Sequence, residues 1–363
     1  MPFSLHVETE PHVSGLPALL RPLLTIAIPT FNRASQLEAL LQILEPQVAG
    51  LPEIEVLISD NASPDRTPAV IAAAIERFRE AGATLHAHRQ TTNIGSDANF
   101  AFCFKEAAGR FFWMCGDDDL IVPDAVAEVL ALLRSPKGGP ADLDMIYATS
   151  YGFREDFLAE RTGDPLGRHV HTIRDPRTFA TVVNIMFTFI SGLVVNKERL
   201  ESLQYESPEQ FIGTNLVQLS WSLPLLLQHR RSAVLWTRPV AARVGNAHGY
   251  SLGRVFGRQL SDVLARLLPD RPDLSAPILN MALRRWFPSV LVEFRGASQD
   301  QLQLNEAHGE LRAVYGRNPR YWLFTYPALR LPLPLARPFL RLTAVVNKAI
   351  YTVQVPGFWR KRS

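Results

Sequence analysis

Cysteine is scarce in this chain, with only Cys103 and Cys115 among 363 residues. Two thiols in apolar contexts, without metal-ligand spacing, exclude a disulfide scaffold and suit a reducing compartment. No uncharged apolar run reaches the roughly 18 residues that a spanning helix needs. The most apolar part of the C-terminal tail is broken by Arg330, Arg337 and Arg341. The opening stretch MPFSLHVETEPHVSG lacks the basic-then-apolar order of a signal peptide, so a cytoplasmic protein is expected. Acidic residues are missing altogether after Glu310, while Arg312, Arg317, Arg320, Arg330, Arg337, Arg341, Lys348, Arg360, Lys361 and Arg362 follow it. Such a basic, apolar, proline-containing tail suits an anionic membrane surface. The expectation is peripheral attachment at the inner face of the cytoplasmic membrane. A solvated tail and a C-terminal helix packed on the core stay open as alternatives. A net charge of only +3 gives no reason to expect a nucleic-acid partner.

What is present is a globular composition, 47% hydrophobic and 20% charged, enough for a substantial core. After an irregular lead-in over residues 1–22, short apolar runs alternate with amphipathic stretches. Strands are predicted over 23–29 (LLTIAIP), 54–60 (IEVLISD), 83–89, 111–115 (FFWMC) and 143–148. Helices are predicted over 34–48, 67–81, 96–108 and 123–134, the last with Pro123 in its first turn. This is the pattern of a parallel sheet covered on both faces. Beyond it, 151–171 reads as a polar loop, 179–195 as an apolar segment and 211–227 as a buried helix up to Pro224. Residues 233–243 read as a further strand, 244–253 as a glycine-rich loop and 252–315 as mostly helix.

In open α/β sheets, ligands bind at the C-terminal ends of the strands. Here the first four strands end in Pro29-Thr30-Phe31-Asn32-Arg33, Ser59-Asp60-Asn61-Ala62-Ser63, Asn93-Ile94-Gly95-Ser96-Asp97 and Gly116-Asp117-Asp118-Asp119. One polar turn is unremarkable, but four on one edge point to a binding crevice. Three adjacent carboxylates repel one another unless a cation neutralises them. Oxygen-only ligands suit a hard divalent ion, Mg²⁺ or Mn²⁺, which can stabilise a departing diphosphate. The same triplet could instead be a solvated turn capping the next helix. Asp60 could bind a base or ribose, or cap its own turn.

With these residues assembled, the chain resembles a family 2 glycosyltransferase of the GT-A type. The matching stretches are LLTIAIPTFNRASQLEALL (23–41), IEVLISDNASPDRT (54–67), NIGSDANF (93–100) and GRFFWMCGDDDL (109–120). The variant is similar to the abequosyltransferase-like enzymes that decorate O-antigen and related bacterial surface polysaccharides. FTFISGLVVNKERLESLQYES and QFIGTN, within 187–215, extend the likeness. The resemblance implies a GT-A domain over 23–250, with a donor half at 23–135 and an acceptor half at 136–250. A helical region with the basic tail would follow over 251–363. It also implies that Pro29, Thr30, Asn32 and Arg33 line the nucleotide pocket, and that Asp60 meets the base or ribose beside Asn61. Asn93, Gly95 and Asn99 would shape the donor loop. Asp117 would face the ribose or donor sugar beside Asp118, and Asp119 would be the main metal ligand, with Asp117 close by. RVGNAHGYS (243–251) is similar to a later histidine-bearing loop of the family, which implies His248 near the diphosphate or metal.

One departure concerns the general base. Inverting members place a carboxylate before a helix of the acceptor half, where it deprotonates the acceptor hydroxyl. Here that stretch reads Phe211-Ile212-Gly213-Thr214-Asn215. Glu209 is the candidate base, with Glu206, Glu155 and Asp156 as other nearby acids. The expected partners are a nucleoside-diphosphate sugar and a glycan or lipid-linked oligosaccharide acceptor. A nucleotidyltransferase would want a glycine-rich phosphate loop after the first strand, where PTFNR has no glycine. A catalytically degenerate module that binds nucleotide sugars or glycans is the non-enzymatic alternative, because the acid near Thr214 is missing.

Overall fold

The computed structural model describes residues 21–134, 143–161, 169–244, 251–297 and 301–354. β1 (Leu24–Thr30) and β2 (Ile54–Asp60) are buried along their whole length. Leu24, Ile26 and Ile28 join Ile54, Val56 and Ile58 in one hydrophobic cluster, whereas Ala27 and Leu57 join another. Successive residues of a strand face opposite ways, so these clusters are the two faces of the sheet. α1 (Ala34–Val48) and α2 (Thr67–Glu80) cover the first face. α1 does so with Ala34, Leu37, Leu40, Leu41, Leu44 and Val48, the three-and-four spacing of a helical stripe. β3 (Thr84–Arg89) is a largely exposed edge. α3 (Ser96–Glu106) covers the second face through Ala101, Cys103 and Phe104.

β4 (Phe111–Met114) is fully buried, and β1 to β4 lie parallel in the order β3-β2-β1-β4. A two-residue strand β5 (Leu120–Ile121) and α4 (Ala125–Arg134) follow. The second half adds β6 (Met145–Phe153), β7 (Val170–Ile173), α5 (Pro176–Val183), β8 (Leu193–Asn196), α6 (Lys197–Glu201), α7 (Leu219–Leu227) and β9 (Ser232–Arg243). β8 is antiparallel to both β4 and β6. β9 runs parallel to β6 and antiparallel to β5 and β7. The sheet is therefore mixed, parallel in its first half, and flanked by helices. Phe104 of α3 stacks on Trp221 of α7 at 5.1 Å, and Trp221 meets Phe112 of β4 edge-on.

The remaining helices are α8 (Leu260–Leu267), α9 (Pro272–Met281), α10 (Phe287–Ala297), α11 (Gln301–Tyr315), α12 (Tyr326–Arg330) and α13 (Leu333–Gln354), with π-helical turns between several of them. Phe256, Leu260, Ile278, Phe287, Leu311 and Tyr321 join the cluster that holds Phe112 and Met114. These helices thus complete the cover of the α3 face. α13 is attached through a small cluster of Val292, Ala328 and Ala336 with Leu340. Among the described residues, no helix is long and apolar enough to cross a membrane.

Three sequence expectations change. The loop expected over 151–171 begins as strand, because β6 runs on to Phe153 along β9. The apolar segment 179–195 is the end of α5, two 3₁₀ turns and β8. The helix expected over 211–227 starts only at Leu219, because Gly213 at φ 92° and Asn215 at φ 56° take left-handed backbone that a helix cannot contain. That helix also continues past Pro224. Every residue from 219 to 226 is buried, so tertiary packing overrides the local breaker.

Candidate functional site

Register brings the polar turns together. Thr30 lies opposite Asp60 across β1 and β2, and Asp60 lies opposite Arg89 across β2 and β3. At this edge a cavity of about 400 Å³ is lined by Pro29, Thr30, Arg33, Asn61, Asn93, Gly95, Asn99, Asp117 and Asp118. Phe31, Phe100, Gly116 and Ile190 also line it, and none of the four was singled out from sequence.

The acidic turn after β4 is bound on several sides. Thr30 Oγ1 donates to Asp117 Oδ2 at 2.8 Å, and Arg33 Nη1 lies 2.8 Å from both Asp117 Oδ1 and Asp118 Oδ2. Asp119 points the other way. Its Oδ2 accepts from Ser191 Oγ at 2.6 Å and its Oδ1 from the Arg243 N–H at 3.2 Å. Ser191 Oγ in turn accepts from the Gly116 N–H at 2.9 Å, and the Ser191 carbonyl accepts from Trp113 Nε1 at 2.9 Å. A Cβ on Gly116 would come within 3.2 Å of Asp118 Oδ1, so the turn is tight around glycine. Asp119 is buried and is not among the residues lining the cavity.

The charge balance of the turn is unequal. Burial pushes the Asp117 carboxyl up to about 6, with Arg33 opposing the shift and Asp118 adding to it. Burial and then the charge of Asp118 push Asp119 up to about 7. Three carboxylates facing one guanidinium leave the turn short of positive charge. Their oxygens are the donors that a hard cation prefers. No three His, Cys, Asp or Glu side chains converge on one point among the described residues. A divalent ion would therefore draw one or two ligands from this turn and the rest from diphosphate and water. The turn fits such an ion by charge and donor type.

The other turns are braced by amides. Asn61 Nδ2 donates to Asn93 Oδ1 at 2.9 Å, and Asn61 Oδ1 accepts from the Ile94 N–H at 2.9 Å. Gly95 takes φ 86°, which glycine adopts without strain, and its N–H donates to Asn93 Oδ1. Asn99 clamps Ser59 through both the hydroxyl and the carbonyl, fixing α3 on β2. Asp60 accepts from the Ser63 N–H at 2.9 Å and from Arg89 Nη1 at 3.1 Å. Asp60 thus caps its own turn and pairs with a cation while standing at the strand end. Asn32 takes φ 55°, and its N–H donates to Ser63 Oγ, which ties the first turn to the second.

Glu209 sits on a 3₁₀ turn (Pro208–Phe211), hydrogen-bonded to Ser207 Oγ, and does not line the cavity. The Ser207 hydroxyl holds its carboxyl below the usual range. Asp97, on the first turn of α3, reaches the acceptor half instead. Its Oδ2 accepts from the Gly213 N–H at 2.8 Å and from the Asn215 N–H at 2.7 Å. Burial raises its pKa. Sequence reading passed over Asp97 and Ser191, although both fall within stretches that carried the resemblance. His248 lies outside the described residues.

A mixed α/β sheet with an acidic turn after β4 and polar turns after β1 to β3 defines the GT-A class of glycosyltransferase. Residues 25–192 match the family model "Glycosyl transferase family 2", and the chain is a glycosyltransferase carrying a domain of that family. Over 319 residues, 80% of this chain and 89% of the relative, it is 25% identical to abequosyltransferase RfbV of Salmonella typhimurium. A stretch of 58 residues, 16% of this chain and 14% of the relative, is 41% identical to validoxylamine A glucosyltransferase of Streptomyces hygroscopicus subsp. jinggangensis. In fold, the chain matches S. aureus TarS 1-349 in complex with UDP at a TM-score of 0.57 and 19% identity, covering 92% of each chain.

Proposed function

We propose that the protein transfers a sugar, with inversion, from a nucleoside diphosphate to a hydroxyl of a glycan or lipid-linked oligosaccharide. The setting would be assembly of a bacterial surface polysaccharide such as O-antigen, at the cytoplasmic face of the membrane. The observation that carries this reading is the cavity in which Thr30, Arg33, Asn61, Asn93, Asp117 and Asp118 converge at the strand ends. Abequosyltransferase as the printed name of a relative supports the polysaccharide setting, and TarS complexes with UDP and UDP-GlcNAc support a nucleotide-sugar donor.

In this reading Pro29, Thr30, Asn32 and Arg33 border the nucleotide, with Asp60 and Asn61 at its base or ribose. Asn93, Gly95 and Asn99 shape the wall beside it, and Asp117 and Asp118 face the ribose and donor sugar. A Mg²⁺ or Mn²⁺ held at the Asp117–Asp119 turn, with His248, would supply positive charge to the leaving diphosphate. Arg33 stands where it can turn from the carboxylates to that diphosphate. Glu209 is the carboxylate assigned to take the acceptor proton, a role that requires the acceptor to reach it outside the present cavity lining.

A panel of nucleoside diphosphates, tested by thermal shift with and without Mn²⁺, checks the donor site. At a hundredfold excess over Kd, one of them should stabilise the fold by about 2.7 kcal/mol, and only with the metal. No stabilisation by any of the panel would overturn the reading.

A further inference from the structure

We propose that α13 is a membrane-surface anchor whose ligand is an anionic lipid bilayer. The helix is oriented against the usual rule. Toward the protein it turns Ala336, Thr343 and Asn347, all buried, and Asn347 Nδ2 donates to the Arg284 carbonyl at 3.0 Å. Toward solvent it turns Leu335, Leu342, Val345 and Val346, which are 58%, 63%, 68% and 40% exposed. At about 100° per residue, Leu335, Leu342, Val346 and Ala349 fall on one stripe, with Pro338 and Val345 beside it. Arg337, Arg341 and Lys348 form a second stripe, and all three are exposed. An amphipathic helix in a globular protein normally buries its apolar stripe. Here the small and polar residues are buried and the leucine and valine stripe is free.

Charge selects the occupant. No acidic residue follows Glu310, so the cations around this stripe meet no opposite charge from the chain beyond that point. A parallel apolar stripe and basic stripe suit a helix lying in the headgroup plane of an anionic bilayer. The inference stands on α13 alone and does not depend on the transfer chemistry, so either can fail without the other.

The test is sedimentation of the full chain with vesicles of phosphatidylglycerol and phosphatidylcholine, or of phosphatidylcholine alone. The chain should bind the anionic vesicles, and binding should fall as salt rises. The double variant Arg337→Gln/Arg341→Gln should lower the partition coefficient about 25-fold, roughly fivefold per cation near the surface. Leu342→Gln/Val346→Gln should lower it at least about tenfold while leaving thermal unfolding unchanged, since both sites are exposed. Absence of binding at low salt, or equal binding to both vesicle types, would overturn the proposal. So would a dimer in solution that dissociates in the Leu342→Gln/Val346→Gln variant without any vesicle binding, because the stripe would then cover a second copy.

Discussion

In the donor half, the turns after β1 to β4 bind one another directly, whereas the acceptor-half turn around Gly213 is held by groups from outside it. Thr30 and Arg33 hold Asp117, Asn61 holds Asn93, Ser59 holds Asn99, and Arg89 holds Asp60. Each pair joins two turns or helix starts of the same edge. At Gly213 the anchors are Asp97 from α3 and Gln259, whose Nε2 donates to the Gly213 carbonyl at 3.0 Å. The donor edge is thus a closed network, and the acceptor turn depends on it. Damage to the first should reach both substrates, and damage to the second should reach one.

The largest effect is expected from Asp117→Ala. Loss of a carboxylate at the diphosphate end should lower transfer by about a thousandfold or more, in the range of a lost charge-stabilising group. It should also remove the Mn²⁺-dependent thermal shift with nucleoside diphosphate, while circular dichroism stays that of the folded protein. Glu209→Gln should lower kcat by about a hundredfold or more, as for loss of a general base, yet keep the donor-induced shift. Were Glu209→Gln to transfer at the normal rate, the base assignment would be wrong and the contrast between the halves would rest on Asp117 alone.

Next in size is Asp97→Ala. It leaves the Gly213 and Asn215 N–H groups without their acceptor, at a cost on the order of 1–3 kcal/mol for each group that stays buried. The acceptor KM should rise while the donor KM stays within about twofold. A parallel rise in both would show that the acceptor turn is not a separate unit.

The smallest effect concerns pH. Asp117 and Asp119 have folded-state pKa values of about 6 and about 7, above the ordinary carboxyl value. The folded state therefore binds more protons than the unfolded chain between pH 4 and 7, and stability falls as pH rises through that window. Asp119→Asn removes one of these ionisations. Relative to wild type, its melting temperature should drop less between pH 5 and pH 8, by about 3 °C or more, given roughly 2–4 °C per kcal/mol. Identical pH profiles would show that Asp119 ionises freely in the fold.

Much of the donor half was readable from the residues because its signals are local. Each strand is a short apolar run, and the polar turn that follows is adjacent in sequence, as in IPTFNR and FFWMCGDDD. The acceptor half was less readable because its structure is set by distant pairing. Two-residue β5 exists because Leu120 and Ile121 meet Ala241 and Val240. The direction of β8 follows from its neighbours β4 and β6. The left-handed backbone at Asn215 had no local sign, since asparagine adopts either hand at modest cost. Ser191 and Asp97 escaped notice because their partners lie 72 and 116 residues away. The reversed exposure of α13 has the same origin, since a helical pattern shows that a face is apolar but not which way it turns.

The Asp97 bridge has a consequence for the kinetics of the two substrates. Asn93, at the donor wall, and Asp97, the anchor of the Gly213 turn, stand on one stretch of chain. Any free energy that the donor spends or gains in settling that stretch is passed to the acceptor turn through two hydrogen bonds. Linkage makes the exchange mutual, so the factor by which donor changes acceptor affinity is also the factor by which acceptor changes donor affinity. The order in which the substrates load is then a property of five residues on one short segment.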